Sequence, residues 1–295
     1  MSAEYLLPPL PPRPPDSHKA SVGRVLVIGG SLGMAGAPVL AARGALRAGA
    51  GLVTVAVPER IRDVVSGFLP EVMTIGLPCD GDGCLEPSAR GAIDGYLERA
   101  DAVVLGPGLG RAPVTEDAVL ALLMGIDRPV VLDADGLYAV RTKVSDLAKR
   151  KAVTVLTPHK GEATALLAES QATLISHRAD RARRIAVAAG GICVLKGPGT
   201  LVADGARLYK NGTGGPVLST GGSGDVLAGV IAAFLAGLTE TGGDAFGAAC
   251  LAVHVHGAAG DLLAARRGDR GSLASEIADA VPEAIRAIVE RGRTA

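Results

Sequence analysis

The chain reads as an α/β protein with a mostly parallel central sheet covered by helices on both faces. Three observations predict this. From Arg24 onward, short β-branched runs alternate with Ala-rich segments of helical length, the rhythm of βαβ units. Apolar residues make up 48% of 295 positions, ample for a core on each side of a sheet. Glycine-rich stretches fall directly after the candidate strands, where open α/β sheets carry their ligand loops.

Residues 1–20 contain Leu7-Pro8-Pro9-Leu10-Pro11-Pro12-Arg13-Pro14-Pro15, read as an extended arm or linker because proline fixes φ and favours polyproline geometry. Strands are predicted at 25–28, 52–57, 72–75, 102–105, 130–132, 153–156 and 192–195. Helices are predicted between them at about 37–49, 59–68, 87–99, 115–125, 137–149, 161–168 and 177–190. Residues 200–203 and 207–210, split by Asp204-Gly205, predict a β-hairpin. Three helices without strands follow, at about 224–238, 244–265 and 272–291. No shift in composition marks a boundary, so residues 21–295 read as a single domain behind the arm.

Composition excludes several functions. Formal charge is zero, which gives no field for nonspecific polyanion binding. Aromatics are 2% with no Trp, so stacking platforms for single-stranded nucleic acid are absent. Cys79, Cys84, Cys193 and Cys250 form no CxxC pair and read as reduced thiols. The N-terminus is proline-rich where a signal peptide needs an apolar segment. The apolar run at 226–238 is shorter than the ~20 residues needed to span a bilayer. The expectation is a cytoplasmic protein with neither nucleic-acid nor membrane partners.

The strongest chemical signal is Ser219-Thr220-Gly221-Gly222-Ser223-Gly224-Asp225, opening a long apolar helix. Its glycines let backbone N–H groups approach a ligand and make positive φ inexpensive. A helix start adds unpaired N–H groups and partial positive charge, which attract phosphate. An acid in a first helical turn is ordinary; an acid beside an anion site suits a base acting on a hydroxyl that attacks a phosphoryl group. Five further loops end predicted strands: 29–37, 106–110, 133–136, 157–162 and 196–200. The first lacks GxGxxG spacing and no GK[ST] is present, so any phosphate is held by another device. His159 beside Glu162 has no second His or Cys nearby, which disfavours a direct metal site. His254 and His256 fall on different faces of a predicted helix and read as structural.

These loops resemble the ribokinase-like superfamily, and more closely the ADP/ATP-dependent NAD(P)H-hydrate dehydratases, over about residues 16–287. The resemblance rests on His18-Lys19, Gly29-Gly30-Ser31 with Gly36-Ala37, Gly106-Pro107-Gly108-Leu109-Gly110, Thr157-Pro158-His159-Lys160-Gly161-Glu162, Lys196-Gly197-Pro198-Gly199-Thr200 and Thr220-Gly221-Gly222-Ser223-Gly224-Asp225. It implies a three-layer sandwich fold. It implies that Ala37, Gly108, His159 and Asp225 contact hydrated NADH or NADPH, with Asp225 as catalytic base. It implies that Lys196, Gly197, Pro198, Gly199, Thr200 and Gly224 hold ADP or ATP as phosphoryl donor, ADP being favoured among bacterial members. Glu162 would support magnesium (Mg2+) through water, and His159 stands where related kinases carry Asn. Gly215 departs from the Asn that the resemblance leads one to expect before Pro216. The family also occurs fused to an N-terminal epimerase domain; none is legible here, and the proline-rich arm resembles its linker. A homo-oligomer, and a separate NAD(P)H-hydrate epimerase as partner in the pathway, are further expectations. The nearest alternative is a kinase of the same superfamily acting on a vitamin-precursor alcohol; a nucleotide-binding sensor without turnover is the alternative from another class.

Overall fold

The computed structural model describes residues 7–10, 13–169, 177–241 and 243–294. Its strands are β1 Arg24–Ile28, β2 Leu52–Pro58, β3 Met73–Leu77, β4 Ala102–Leu105, β5 Val130–Leu132, β6 Thr154–Leu156, β7 Ile192–Leu195, β8 Leu201–Ala203 and β9 Leu208–Lys210. They form one sheet in the order β3-β2-β1-β4-β5-β6-β7-β8-β9. Pairing is parallel from β3 through β7 and antiparallel for β8 and β9. The predicted hairpin is β8–β9, and Asp204 closes its turn by accepting the Ala206 and Arg207 N–H groups.

The helices are α1 Gly36–Ala48, α2 Arg62–Ser66, α3 Ala89–Leu97, α4 Pro113–Gly125, α5 Asp135–Ala139, α6 Lys160–Leu166, α7 Arg178–Ala189, α8 Ser223–Thr241, α9 Ala245–Arg267 and α10 Ala274–Thr294. Strand side chains alternate between two cores. Val25, Val27, Val104 and Val131 join α1, α8, α9 and α10 on one face. Leu26, Ile28, Leu105 and Leu132 join α3, α4, α6 and α7 on the other. This is the three-layer sandwich that the resemblance implies.

Two predicted helices are broken. The 59–68 segment is a 3-10 turn, Glu59–Ile61, running into the short α2. The 137–149 segment splits into α5 and a 3-10 run, Val144–Lys149. At the split the Tyr138 carbonyl accepts the Arg141 N–H (3.3 Å) and the Arg141 guanidinium (2.6 Å) instead of the next helical N–H. The run at 226–238 lies in α8, and among the described residues a longer apolar helix follows it. Helix α9 has 23 residues and a mean hydropathy of 1.3, enough to cross a membrane by length and composition. It is instead an inner layer, with 67% of its apolar window buried against the rest of the fold. The proline-rich run includes residues 11 and 12, which lie outside the described residues; of its neighbours, Leu7 packs on the helical core and Arg13 donates to the Gly49 carbonyl beyond α1.

Sheet order places the site. The chain goes from β1 to β2 and β3 on one side, then returns to β4 on the other, so β1 and β4 flank the topological switch point. Gly30 N–H donates to the Pro107 carbonyl across it (2.8 Å). Helix α8 is seated by small residues. A Cβ at Gly229 would lie 1.8 Å from the Ala41 carbonyl oxygen, and one at Gly44 2.4 Å from that of Val226. The two helices therefore touch backbone to backbone, and the N-terminus of α8 is fixed over the carboxyl edge of the sheet.

Candidate active site

The Gly-rich turn enters α8 through Gly222, at φ +88°, a value only glycine adopts without strain. Gly221 and Gly224 need no such freedom. Gly224 is already helical and answers a different demand, because a Cβ there would stand 3.3 Å from the Lys196 ammonium. Ser223 N–H is taken by the Thr220 carbonyl (3.3 Å). Among the described residues, no backbone carbonyl outside the helix takes the N–H of Gly222, Gly224 or Asp225. These three are the donors left for an anion at the positive end of a 19-residue helix.

Asp225 sits half-buried on the first turn. Burial and the neighbouring Asp133 push its carboxyl up to about 7, against an opposing pull from Lys196. It is thus a carboxylate tuned to take a proton near neutrality.

The charges around it form a cluster that no single loop predicts. Lys196 Nζ lies 2.8 Å from Asp133 Oδ1 and 3.9 Å from Glu162 Oε2. Asp133, 1% exposed, also accepts a hydrogen bond from Thr157 Oγ1 (2.6 Å). Burial would draw Lys196 down, but Asp133 and Glu162 together hold it above the ordinary lysine range, so it stays charged. Glu162 is raised by burial and pulled back by Lys196. Between Asp133 and Asp135 stands Ala134, at φ 48°, ψ −117°, a strained conformation for a residue with a Cβ. That strain separates the two acids. Asp133 turns into the buried cluster, while Asp135 accepts Gly110 N–H (2.9 Å) and pairs with Arg111 Nε (2.9 Å).

The residues assigned from sequence divide into two groups. A cavity of about 580 Å³ is lined by 196–200, 213–216, 218–220, Ser223 and Gly224, with Leu227, Val253 and Gly257 as apolar walls. It contains every residue expected at the phosphoryl donor. On the other side, a Cβ at Gly108 would lie 3.0 Å from the Ala37 Cβ, and Ser31 Oγ donates to the Gly108 carbonyl (2.8 Å). Ala37 and Gly108 therefore meet at the β1–β4 switch point. Asp225 follows Gly224 of the cavity wall, and its charge feels Asp133, Lys196, Asp135 and Glu162. His159 lines this cavity rather than the Ala37–Gly108 corner. The His18-Lys19 pair lies before β1, at the sheet's amino edge, where a Cβ at Gly51 would strike the Lys19 carbonyl.

His159 is also the N-cap of α6. Its Nδ1 accepts Gly161 N–H (2.9 Å) and Glu162 N–H (3.2 Å), while Glu162 Oε2 accepts His159 N–H (2.8 Å), a reciprocal capping box. Structural and ligand roles can be separated by substitution. His159→Asn keeps a good capping acceptor, so melting temperature should hold; because His159 lines the 196–200 cavity, ADP affinity should fall by about 1–3 kcal/mol if the ring also contacts a ligand there. Calorimetric titration beside a melting curve checks this; unchanged affinity assigns the residue to the cap alone.

Several pairings escaped sequence reading. The 133–136 and 157–162 loops are expected at the ligand edge of the sheet, but that Asp133 and Thr157 meet at Lys196, and Asp135 holds Gly110, follows only from the sheet. His256, read as structural, is buried, lines the same cavity and lies 3.3 Å from Ser223 Oγ. Burial lowers its imidazole to about 4, so it is neutral at physiological pH. Arg178 opens α7 and donates to the Leu195 (3.3 Å) and Pro198 carbonyls, bracing the 196–200 loop.

Comparison with known proteins gives the family. A family model described as NAD(P)H-hydrate dehydratase matches residues 25–283. The chain belongs to the NAD(P)H-hydrate dehydratase family. Relatives include the bifunctional NAD(P)H-hydrate repair enzymes of Moorella thermoacetica, 41% identical over 299 residues, and of Escherichia coli, 41% over 280 residues. These alignments cover 100% and 94% of this chain but 55% and 50% of the relatives, so the chain spans about half their length. The ADP/ATP-dependent NAD(P)H-hydrate dehydratase of Bacillus subtilis, co-crystallised with ATP and Mg2+, superposes with a TM-score of 0.78 at 31% identity, over 95% of both chains. A hydroxyethylthiazole kinase from Pyrococcus horikoshii superposes at 0.62 with 17% identity and shares the fold.

Proposed function

We propose that this dehydratase-family chain restores NADH and NADPH from their hydrates, using ADP or ATP as phosphoryl donor. The observation that carries the reading is Asp225: a carboxyl near pH 7, at a helix start with three unpaired N–H groups, next to Gly224 of the 196–200 cavity and within reach of the charges of Asp133, Lys196, Asp135 and Glu162. The hydrate bears a hydroxyl on its reduced ring, and hydroxide is a poor leaving group. Asp225 takes the hydroxyl proton as that oxygen attacks the terminal phosphate of the donor. The N–H groups of Gly222, Gly224 and Asp225 meet the charge spreading over the transferring phosphoryl. The ring nitrogen's lone pair then expels phosphate and regenerates the dihydronicotinamide. One hydrate and one ATP give NAD(P)H, ADP and phosphate; with ADP as donor the nucleotide product is AMP.

Among the described residues no group of three His, Cys, Asp or Glu forms a ready metal cage. Magnesium carried on the donor's phosphates, completed by water and supported by Glu162, suits such a site, since Mg2+ keeps several waters. There it would neutralise phosphate charge during transfer. The neutral His256 holds Ser223 at the helix start, and Lys196 keeps three carboxylates compatible beside an incoming polyanion. We place the reaction in the cytoplasm, in a self-associating enzyme that works alongside an epimerase activity.

Purified protein with magnesium and either donor should restore the dihydronicotinamide absorbance of hydrated NADH with stoichiometric phosphate release. Comparing kcat/KM for ADP and ATP assigns the donor, ADP being expected. A lasting phosphorylated product would identify a kinase; no absorbance recovery with either donor would sink the dehydratase reading.

A further inference from the structure

Arg111 has no part in the chemistry above, yet it is built into the site. It follows directly on the Gly106–Gly110 loop, and Asp135, itself 12% exposed, orients it by accepting from Nε at 2.9 Å. The same carboxylate accepts Gly110 N–H, so the side chain and the loop are held by one group. Its guanidinium carbon lies 4.5 Å from the Tyr138 ring centroid, with Arg141 at 3.7 Å from the same ring. Glu116 pairs with Arg141 at 2.7 Å but makes no such pair with Arg111. Stacking and the Nε bond fix the plane of Arg111, while its Nη groups find no acceptor among the described residues; the side chain is 58% exposed.

A rigid fork with two free donors is a phosphate reader. Its position says which phosphate. The loops on the β1–β4 side, residues 29–37 and 106–111, carry one cation, Arg111. Asp225, half-buried at the start of α8, marks where the reacting ring must be, and Arg111 is the exposed side chain at the end of the 106–111 loop. A dinucleotide anchored by its nicotinamide at Asp225 presents its adenosine end outermost. Met34, 41% exposed and against Gly108, offers an apolar surface for the base there.

We infer that Arg111 binds the ribose phosphate that distinguishes the NADP form of the substrate from the NAD form, and so sets a preference for hydrated NADPH. The inference rests on the proposed function above. General dinucleotide chemistry supports it, since an arginine near the ribose accommodates the added phosphate where an acid would repel it.

The test uses the stable products as probes. Kd for NADPH and for NADH is measured by calorimetry on wild type and R111Q. Wild type should favour NADPH, and R111Q should weaken NADPH by about 10–100-fold while NADH changes by less than about twofold. NADH binding by the same R111Q preparation shows that the variant is folded. Equal losses for both dinucleotides would mean a shared phosphate or a wall contact and overturn the inference, as would a ratio that does not move. Wild type that binds neither dinucleotide overturns the functional reading, and this inference with it.

Discussion

Replacing Asp225 by Asn should lower turnover by about 10²–10⁴-fold and at the same time make the protein more stable at alkaline pH. The amide keeps the shape and cannot take a proton, so the base is lost while the helix start is kept. The stability sign follows from the raised carboxyl. In the fold Asp225 ionises near pH 7 rather than at the ordinary 3.8, so the native state disfavours its charged form. That cost is absent below 3.8, grows between 3.8 and 7, and is complete above 7. The D225N substitution removes it, for a gain on the order of 2–4 kcal/mol at pH 8 that vanishes near pH 4. In wild type, kcat/KM should rise with pH and level off just above 7, and D225N should lose that limb. Nucleotide affinity should hold or rise, because a negative charge beside the phosphates is gone. Turnover, melting curves at pH 4 and 8, and nucleotide Kd on one preparation test all of this. Near-native turnover in D225N would end the case for Asp225 as base.

Lys196→Met should be the most destabilising substitution at the site. Methionine fills much of the same volume but leaves Asp133, 1% exposed, with Thr157 as its hydrogen-bond donor and no countercharge. Stranding one member of a buried pair costs about 3–5 kcal/mol. Adding Asp133→Asn should restore a large part of that loss, since the double variant buries no unpaired charge there. Lys196 also lowers the Asp225 carboxyl, so any residual activity of K196M should show its pH limb displaced upward. Chemical denaturation of the two single variants and the double variant measures the coupling. If K196M were as stable as wild type, the cluster would not be the structural and electrostatic centre of the site.

Much of this protein was legible in its sequence because the determining patterns are local. Alternating β-branched runs and Ala-rich helices gave the α/β class, and strand positions came out within one or two residues. Asp204-Gly205 specified its hairpin through side-chain acceptance of its own turn N–H groups. The Gly-Gly-Ser-Gly-Asp turn announced an anion site at a helix start, although Gly222 alone needs positive φ there and Gly224 is glycine to make room for Lys196. The apolar pattern could not show that α9 is an inner layer, since burial inside a fold and burial in a membrane select the same composition.

What tertiary structure alone decided is which charges meet. Lys196 and Asp133 are 63 positions apart, and they pair because β5 and β7 end on the same edge with β6 between them. His256 reaches Ser223 across 33 positions because α9 packs along α8. Arg111, Asp135 and Tyr138 converge because the strained Ala134 sends successive acids in opposite directions. Periodicity and turn chemistry act over a few residues and are written in the chain. The pKa of Asp225 is not, because desolvation and Coulomb energy depend on distances that exist only once the sheet order and the α1–α8 contact have set them.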